Sequence, residues 1–364
     1  MSETANLHDL VQSRIDNFLS SRESILAQVG ADLEPFSSFS REFLSGGKRF
    51  RASFCYWGWA SVAGPGNAPE NGLDAMVSLA GALELFHAAA LVHDDIIDNS
   101  DTRRGAPAAH KRFESLHLSS GWDGDGDGYG RAAAILLGDL LLGWSDELLD
   151  EGLAAVAPEA RLATRAEFIR MRTEVTAGQY LDILEERAWR AHPEEDQLAR
   201  ARQVLIFKSA KYSVESPLAM GALLGGGTET QVASLRAFGL PLGIAFQLRD
   251  DLLGVFGDAA VTGKPSGDDL LEGKRTVLVA LTRPTLPKAA RRIFDELLGD
   301  PTLDAEQIAS LQATIRDSGA VDEVEAMIAD NLGRANAALD GAGLSDEATN
   351  GLRSLADAVV RRNY

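Results

Sequence analysis

The sequence holds a single cysteine, Cys55, among 364 residues. An internal disulfide is excluded and no thiolate cluster can hold zinc, so a reducing, cytoplasmic setting is expected. Basic residues are also scarce: 35 Lys and Arg stand against 54 Asp and Glu, for a formal net charge of −19. Nucleic-acid recognition starts from a basic surface, so that class is excluded. Long apolar runs are missing too. The longest, Ala132–Trp144, is broken by Asp139 and is too short to span a bilayer. The first residues carry charges throughout and lack the apolar core of a secretory signal. Alternating β-branched runs are hard to find, which argues against sheet.

What remains is rich in Ala and Leu, with apolar residues recurring every three or four positions, so the expected class is all-α. Helices are expected over Leu73–Asn99, Arg131–Leu153, Glu159–Arg190, Glu194–Val214 and Thr228–Phe256, with a kink at Pro241. Clusters of Gly and Pro separate them at 64–72, 119–130, near Gly225 and at 282–288. No linker divides two compositionally distinct halves, so residues 1–364 read as one large helical bundle. Residues 119–130 (SSGWDGDGDGYG) read as a flexible acidic insertion. Its DGDGDG run mimics the start of a calcium loop, but Ala134 stands where the twelfth-position Glu is required.

Three charged clusters carry the chemistry. In LVHDDIIDNSDTRRG, Asp94 and Asp98 lie one helical turn apart with Asp95 beside them, and Arg103 and Arg104 follow. Carboxylates this close repel unless a cation joins them, and Mg²⁺ binds through a few carboxylates plus substrate phosphates. In GIAFQLRDDLLGVFG, Gln247 precedes the pair Asp250 and Asp251, and Lys264, Asp269 and Lys274 follow among glycines. In SGGKRFR, two glycines precede Lys48, Arg49 and Arg51, a nest for an anion without the P-loop pattern. Read singly, each cluster is also what a solvated helix end or mixed-charge loop looks like. Three together in one helical chain point to a site for diphosphates.

In this order, GGKRFR, DDIID with RRG, AILLGDLLL, GQYLD, FKSAKY, FQLRDDLLG and the final GK pair make the sequence resemble the trans-isoprenyl diphosphate synthase (polyprenyl synthetase) family. The resemblance implies the isoprenoid synthase fold, a helical bundle around a central cavity, and a homodimer. It implies transfer of an allylic chain onto isopentenyl diphosphate with three Mg²⁺ per active site. Asp94, Asp98, Asp250 and Asp251 are the implied metal ligands, with Asp95 and Asp269 in support. Arg103, Lys208, Lys264 and Lys274 resemble the contacts to the allylic diphosphate. Lys48, Arg51, His87 and Arg104 resemble the isopentenyl diphosphate pocket, and Gln247 and Ser209 the groups beside the allylic fragment. Two positions depart from the pattern: Gly254 stands where a third aspartate is frequent, and Ala52 where proline is common.

Product length has its own residues. Ala89 and Ala90 lie one turn before Asp94, and Phe86 lies two turns before it, about 12 Å away along the axis. A tail that passes the alanines and stops at Phe86 implies geranylgeranyl diphosphate; farnesyl and longer products are the alternatives. A non-catalytic subunit would be expected to lose acidic or basic ligands, and a terpene cyclase to carry an N-D-x-x-S-x-x-x-E pattern. His93-Asp94 could alternatively mark a metal-dependent phosphohydrolase, a reading that leaves RRG and the second acidic pair unexplained.

Overall fold

A computed structural model describes residues 2–67, 72–258 and 266–361. Sixteen α-helices are described there: α1 (Ser2–Val29), α2 (Glu34–Leu44), α3 (Phe50–Asn67), α4 (Gly72–Ile97), α5 (Ala109–Ser119), α6 (Gly126–Leu153), α7 (Pro158–Ala188), α8 (Gln197–Val204), α9 (Ser216–Leu224), α10 (Glu229–Phe256), α11 (Asp268–Glu272), α12 (Val277–Thr285), α13 (Lys288–Leu297), α14 (Ala305–Asp317), α15 (Ala320–Ala338) and α16 (Asp346–Val360). The chain divides into two compact units, 1–165 with 220–227, and 166–219 with 228–364. Each is described separately.

In the first unit α4 is the central helix, packed against α1, α3 and α6. It is apolar on nearly every side, and Leu79, Leu83 and Leu85 are fully buried. Length and composition alone would let it cross a membrane, but 83% of its most apolar window is buried inside the protein, as for the core helix of a globular fold. Small residues set the close approaches. A side-chain carbon on Gly138 of α6 would lie 2.4 Å from the His93 ring of α4, so that glycine makes room for the imidazole.

Two expectations are corrected here. The acidic loop is shorter than the expected 119–130: only residues 120–125 lie between helices, because α5 runs to Ser119 and α6 starts at Gly126. Asp125 caps α6 by accepting from the Asp127 amide at 3.2 Å, and Asp127 pairs with Arg131 at 2.9 Å. His117 bonds the Asp123 carbonyl at 3.2 Å and packs on Trp122 and Tyr129. The second correction is a small β-hairpin, Thr102–Arg103 against Ala106–Pro107, in a chain expected to be helical throughout. Arg104 and Gly105 form its two-residue turn with φ of 54° and 76°, the pair of positive values that a type I′ turn requires.

In the second unit α10 packs against α15, α16 and the segment Leu205–Glu215. That segment was expected to continue a helix from Glu194, but it is a π-helix, preceded by a 3₁₀ turn and the short α8. Its ladder ends where α9 starts, because Pro217 has no amide hydrogen to donate. α10 runs on unbroken through Pro241. Two glycines bring neighbouring backbones against the π-helix. A carbon on Gly178 of α7 would lie 2.4 Å from the Lys208 amide, and one on Gly243 of α10 would lie 2.4 Å from the Ala210 carbonyl.

Backbone cannot retreat as a side chain can, so Gly178→Ala forces the π-helix away despite Ala's better helix propensity. Urea unfolding should show a loss of about 1–3 kcal/mol; a variant as stable as the parent contradicts this packing.

Candidate active site

The first acidic motif sits at the C-terminal end of α4. Asp95 is fully buried, and its Oδ1 accepts from Arg103 through Nε at 2.9 Å and through Nη2. Arg103 Nη2 also stands 3.9 Å from Asp94 Oδ2. Asp94 and Asp98 are only half-buried on the same face, one turn apart, with the Asp98 amide donating to the Asp94 carbonyl at 2.8 Å. The motif therefore splits its tasks: Asp95 holds Arg103, while Asp94 and Asp98 remain at the surface of the helix. Asn99 adopts φ 55° and ends the helix, and Arg131 fixes that end by donating to Asn99 Oδ1 at 2.8 Å and to the Ile96 carbonyl at 3.2 Å. Arg131 had no role in the sequence reading.

A second group of cations gathers in the same unit. Gly46 and Gly47 have φ of 69° and 85°, and a carbon on Gly47 would lie 3.3 Å from the Arg104 guanidinium. The hairpin turn is thus brought against the glycine loop. Arg49 departs from the expected nest. Its side chain is buried, donating to the Leu44 carbonyl at 3.0 Å, to the Gly46 carbonyl at 3.3 Å and to Gln12 Oε1. It pins the loop while holding a positive φ of 45°, and Lys48 is left exposed with Arg51 half-buried. His87 faces this group. Burial first, then Arg51, Arg104 and Arg103, hold its imidazole well below the usual range, so it is neutral at pH 7.

The second unit carries the other half of the sequence-derived set. Lys208 and Ser209 lie side by side, half-buried, on the π-helix, and Lys208 Nζ pairs with Asp182 of α7. Asp182 is the aspartate of GQYLD, a motif whose carboxylate was given no task from sequence. On α10, Gln247 Nε2 donates to Asp251 Oδ1 at 2.8 Å. Burial pushes the Asp251 carboxyl up to about 8; Gln247 opposes this, and Asp269, Asp250 and Asp182 add to it. Four carboxylates therefore act on one another here. Lys274 Nζ pairs with Glu272 and stands 3.8 Å from Asp269 Oδ1. Lys264 lies outside the described residues.

The donor set suits Mg²⁺. Among the described residues no three metal-type side chains converge closely enough to hold an ion by themselves. Mg²⁺ does not need that, since it binds through one or two carboxylates and completes its shell with water and phosphate. A carboxyl forced toward neutrality by burial, and further by its acidic neighbours, is a place where a cation lowers the energy. His93 does not form a metal pair with Asp94: its Nε2 stands 3.3 Å from the Ile135 carbonyl and 3.4 Å from Asp139, beside Gly138. The phosphohydrolase reading loses its histidine.

Residues 34–315 match the polyprenyl synthetase family model. The chain belongs to that family. A short-chain isoprenyl diphosphate synthase of Methanothermobacter thermautotrophicus is 31% identical over 88% of each chain. A geranylgeranyl diphosphate synthase of Saccharolobus solfataricus is 28% identical over 84% of this chain and 81% of its own. Among solved structures, the geranylgeranyl pyrophosphate synthase of Corynebacterium glutamicum, complexed with isoprenyl diphosphate and magnesium, has a TM-score of 0.92 and 38% identity, covering 98% of this chain and 99% of its own. The all-α isoprenoid synthase fold expected from sequence is therefore the fold of this chain.

Family membership sharpens the Gly254 question. A side-chain carbon at Gly254 would lie 2.0 Å from Asp269 Oδ2, so the Asp269 carboxylate lies over the glycine. The space a third motif aspartate would use is taken by an acid from α11. Installing that aspartate adds a like charge and expels Asp269 from beside Lys274. Gly254→Asp should therefore lower kcat/KM about 10-fold or more, measured by steady-state kinetics; a rise contradicts the account.

Proposed function

We propose that the chain is a Mg²⁺-dependent trans-prenyltransferase that joins an allylic diphosphate to isopentenyl diphosphate, with geranylgeranyl diphosphate as product. The observation that carries this reading is the pairing in each unit of an acidic motif with its own cations. Asp95 holds Arg103 in the first, and Asp182 holds Lys208 beside the Asp250–Asp251 pair in the second. Asp94, Asp98, Asp250 and Asp251 are the residues that would hold Mg²⁺, three ions in this reading. When bound, the metal neutralises charge on the diphosphate leaving group.

The chain's own groups do the rest. Lys208, Lys264, Lys274 and Arg103 bind the allylic diphosphate as the C–O bond breaks and its electron pair passes to the departing oxygen. Pre-aimed cations of this kind stabilise developing negative charge without reorganising. Lys48, Arg51, Arg104 and the neutral His87 bind isopentenyl diphosphate, whose double bond attacks the allylic cation. Gln247 and Ser209 stand beside the allylic fragment. A proton then leaves the new chain for the released diphosphate, which explains why no general base is required. The reading includes a homodimer; exposed Leu118, Ile135 and Leu136 give the first unit apolar surface for it.

Purified protein with Mg²⁺, labelled isopentenyl diphosphate and farnesyl diphosphate tests the reaction. The expected product is a lengthened diphosphate; no product supports a non-catalytic subunit, and a hydrocarbon supports a cyclase. Chain length is tested on α4, where Ala90 is half-buried on the Asp94 face and Phe86 is buried one turn further back. Ala89, beside Ala90, is buried like Phe86, and both alanines belong to the proposed tail path. Phe86→Ala should shift the product to longer chains by chromatography; an unchanged length sinks the assignment.

A further inference from the structure

In a chain of net charge −19, one cleft of the second unit is basic. It has a volume of about 390 Å³, and its lining is Arg190, Lys288, Arg291, Arg292, Asp295 and Glu296. Every lining residue is charged. Arg190, Lys288 and Arg292 are exposed.

The cleft is backed by an arginine stack. Trp189 is buried, and the guanidinium carbons of Arg275, Arg283 and Arg190 stand 3.9, 4.6 and 5.0 Å from its ring centre. Three carboxylates already engage these cations. Asp295 accepts from Arg283 at 2.7 and 2.8 Å, Glu194 accepts from Arg291 at 2.7 Å, and Glu296 accepts from Arg292 at 3.0 Å. Arg190, Arg275, Arg283, Lys288, Arg291 and Arg292 therefore outnumber their carboxylates two to one.

Arg275 is the second, independent observation. Its side chain is 10% exposed, stands 3.6 Å from Asp295 Oδ1, and makes no hydrogen bond through Nε or Nη1. Burial lowers its guanidinium to about 10, with Asp295 opposing and Arg283 and Arg190 adding to the shift. A buried guanidinium crowded by two others is relieved by a nearby anion. Planar forks suit phosphate oxygens.

We propose that this cleft is a second anion site, separate from the diphosphate-binding groups of the active site, and that it takes a small multivalent phosphate such as inorganic diphosphate. The cleft alone carries the proposal, whatever reaction the active site performs. A chain of this net charge repels anions at long range, so any binding without metal must be local.

The test is calorimetric titration of the full chain with inorganic diphosphate in excess EDTA. Saturable binding is expected, more than about tenfold weaker in Arg190→Gln/Lys288→Gln. Lys288→Glu alone, a reversal on an exposed side chain, should weaken it in the same direction. Binding lost in Arg51→Gln but kept in the cleft variants overturns the proposal, as does the absence of EDTA-resistant binding.

Discussion

Burial of a carboxyl among other carboxylates is the constraint on which the rest of the site depends. Asp182, Asp250, Asp251 and Asp269 act on one another, and Asp251 is driven up to about 8 by burial and by the other three. The sign matters for stability. A carboxyl whose pKa is raised on folding binds its proton more tightly in the folded chain, so the metal-free protein loses stability as pH rises from the ordinary carboxylate range toward 8. Lys208 relieves part of this by pairing with Asp182, and Lys274, paired with Glu272, stands 3.8 Å from Asp269. The same pairs hold both lysines in position before any diphosphate arrives.

Close backbone approach is the second theme, and it serves the first. Gly178 and Gly243 let α7 and α10 close on the π-helix, which fixes the height at which Lys208 emerges beside Asp182. Gly254 gives up its side-chain space to Asp269. In the first unit, Arg49 is spent on pinning the glycine loop, while the neighbouring Lys48 is exposed and Arg51 half-buried. Placement of charge here is a consequence of which positions lack a side chain.

Much of this was legible in the sequence. Helical periodicity located α4, α6, α7 and α10, and the motif order identified the family. DDIID falls on α4, DDLLG on α10, RRG at the hairpin and FKSAKY on the π-helix. What escaped depends on long-range packing or on backbone register. The π-helix has the same three- and four-residue apolar spacing as an α-helix, so only Pro217 hinted at its end. The hairpin at 102–107 is too short to show alternation, and its one signal was Arg104-Gly105 at the turn. Asp95 and Arg49 look like their exposed neighbours in sequence, and only burial tells them apart.

The central claim is that the second acidic cluster holds a proton that a divalent cation displaces. A pH-stat measurement on the ligand-free chain at pH 7, saturated with Mg²⁺, tests it directly. The account predicts release of about one proton per chain, abolished in Asp251→Asn. Saturation without proton release would contradict it.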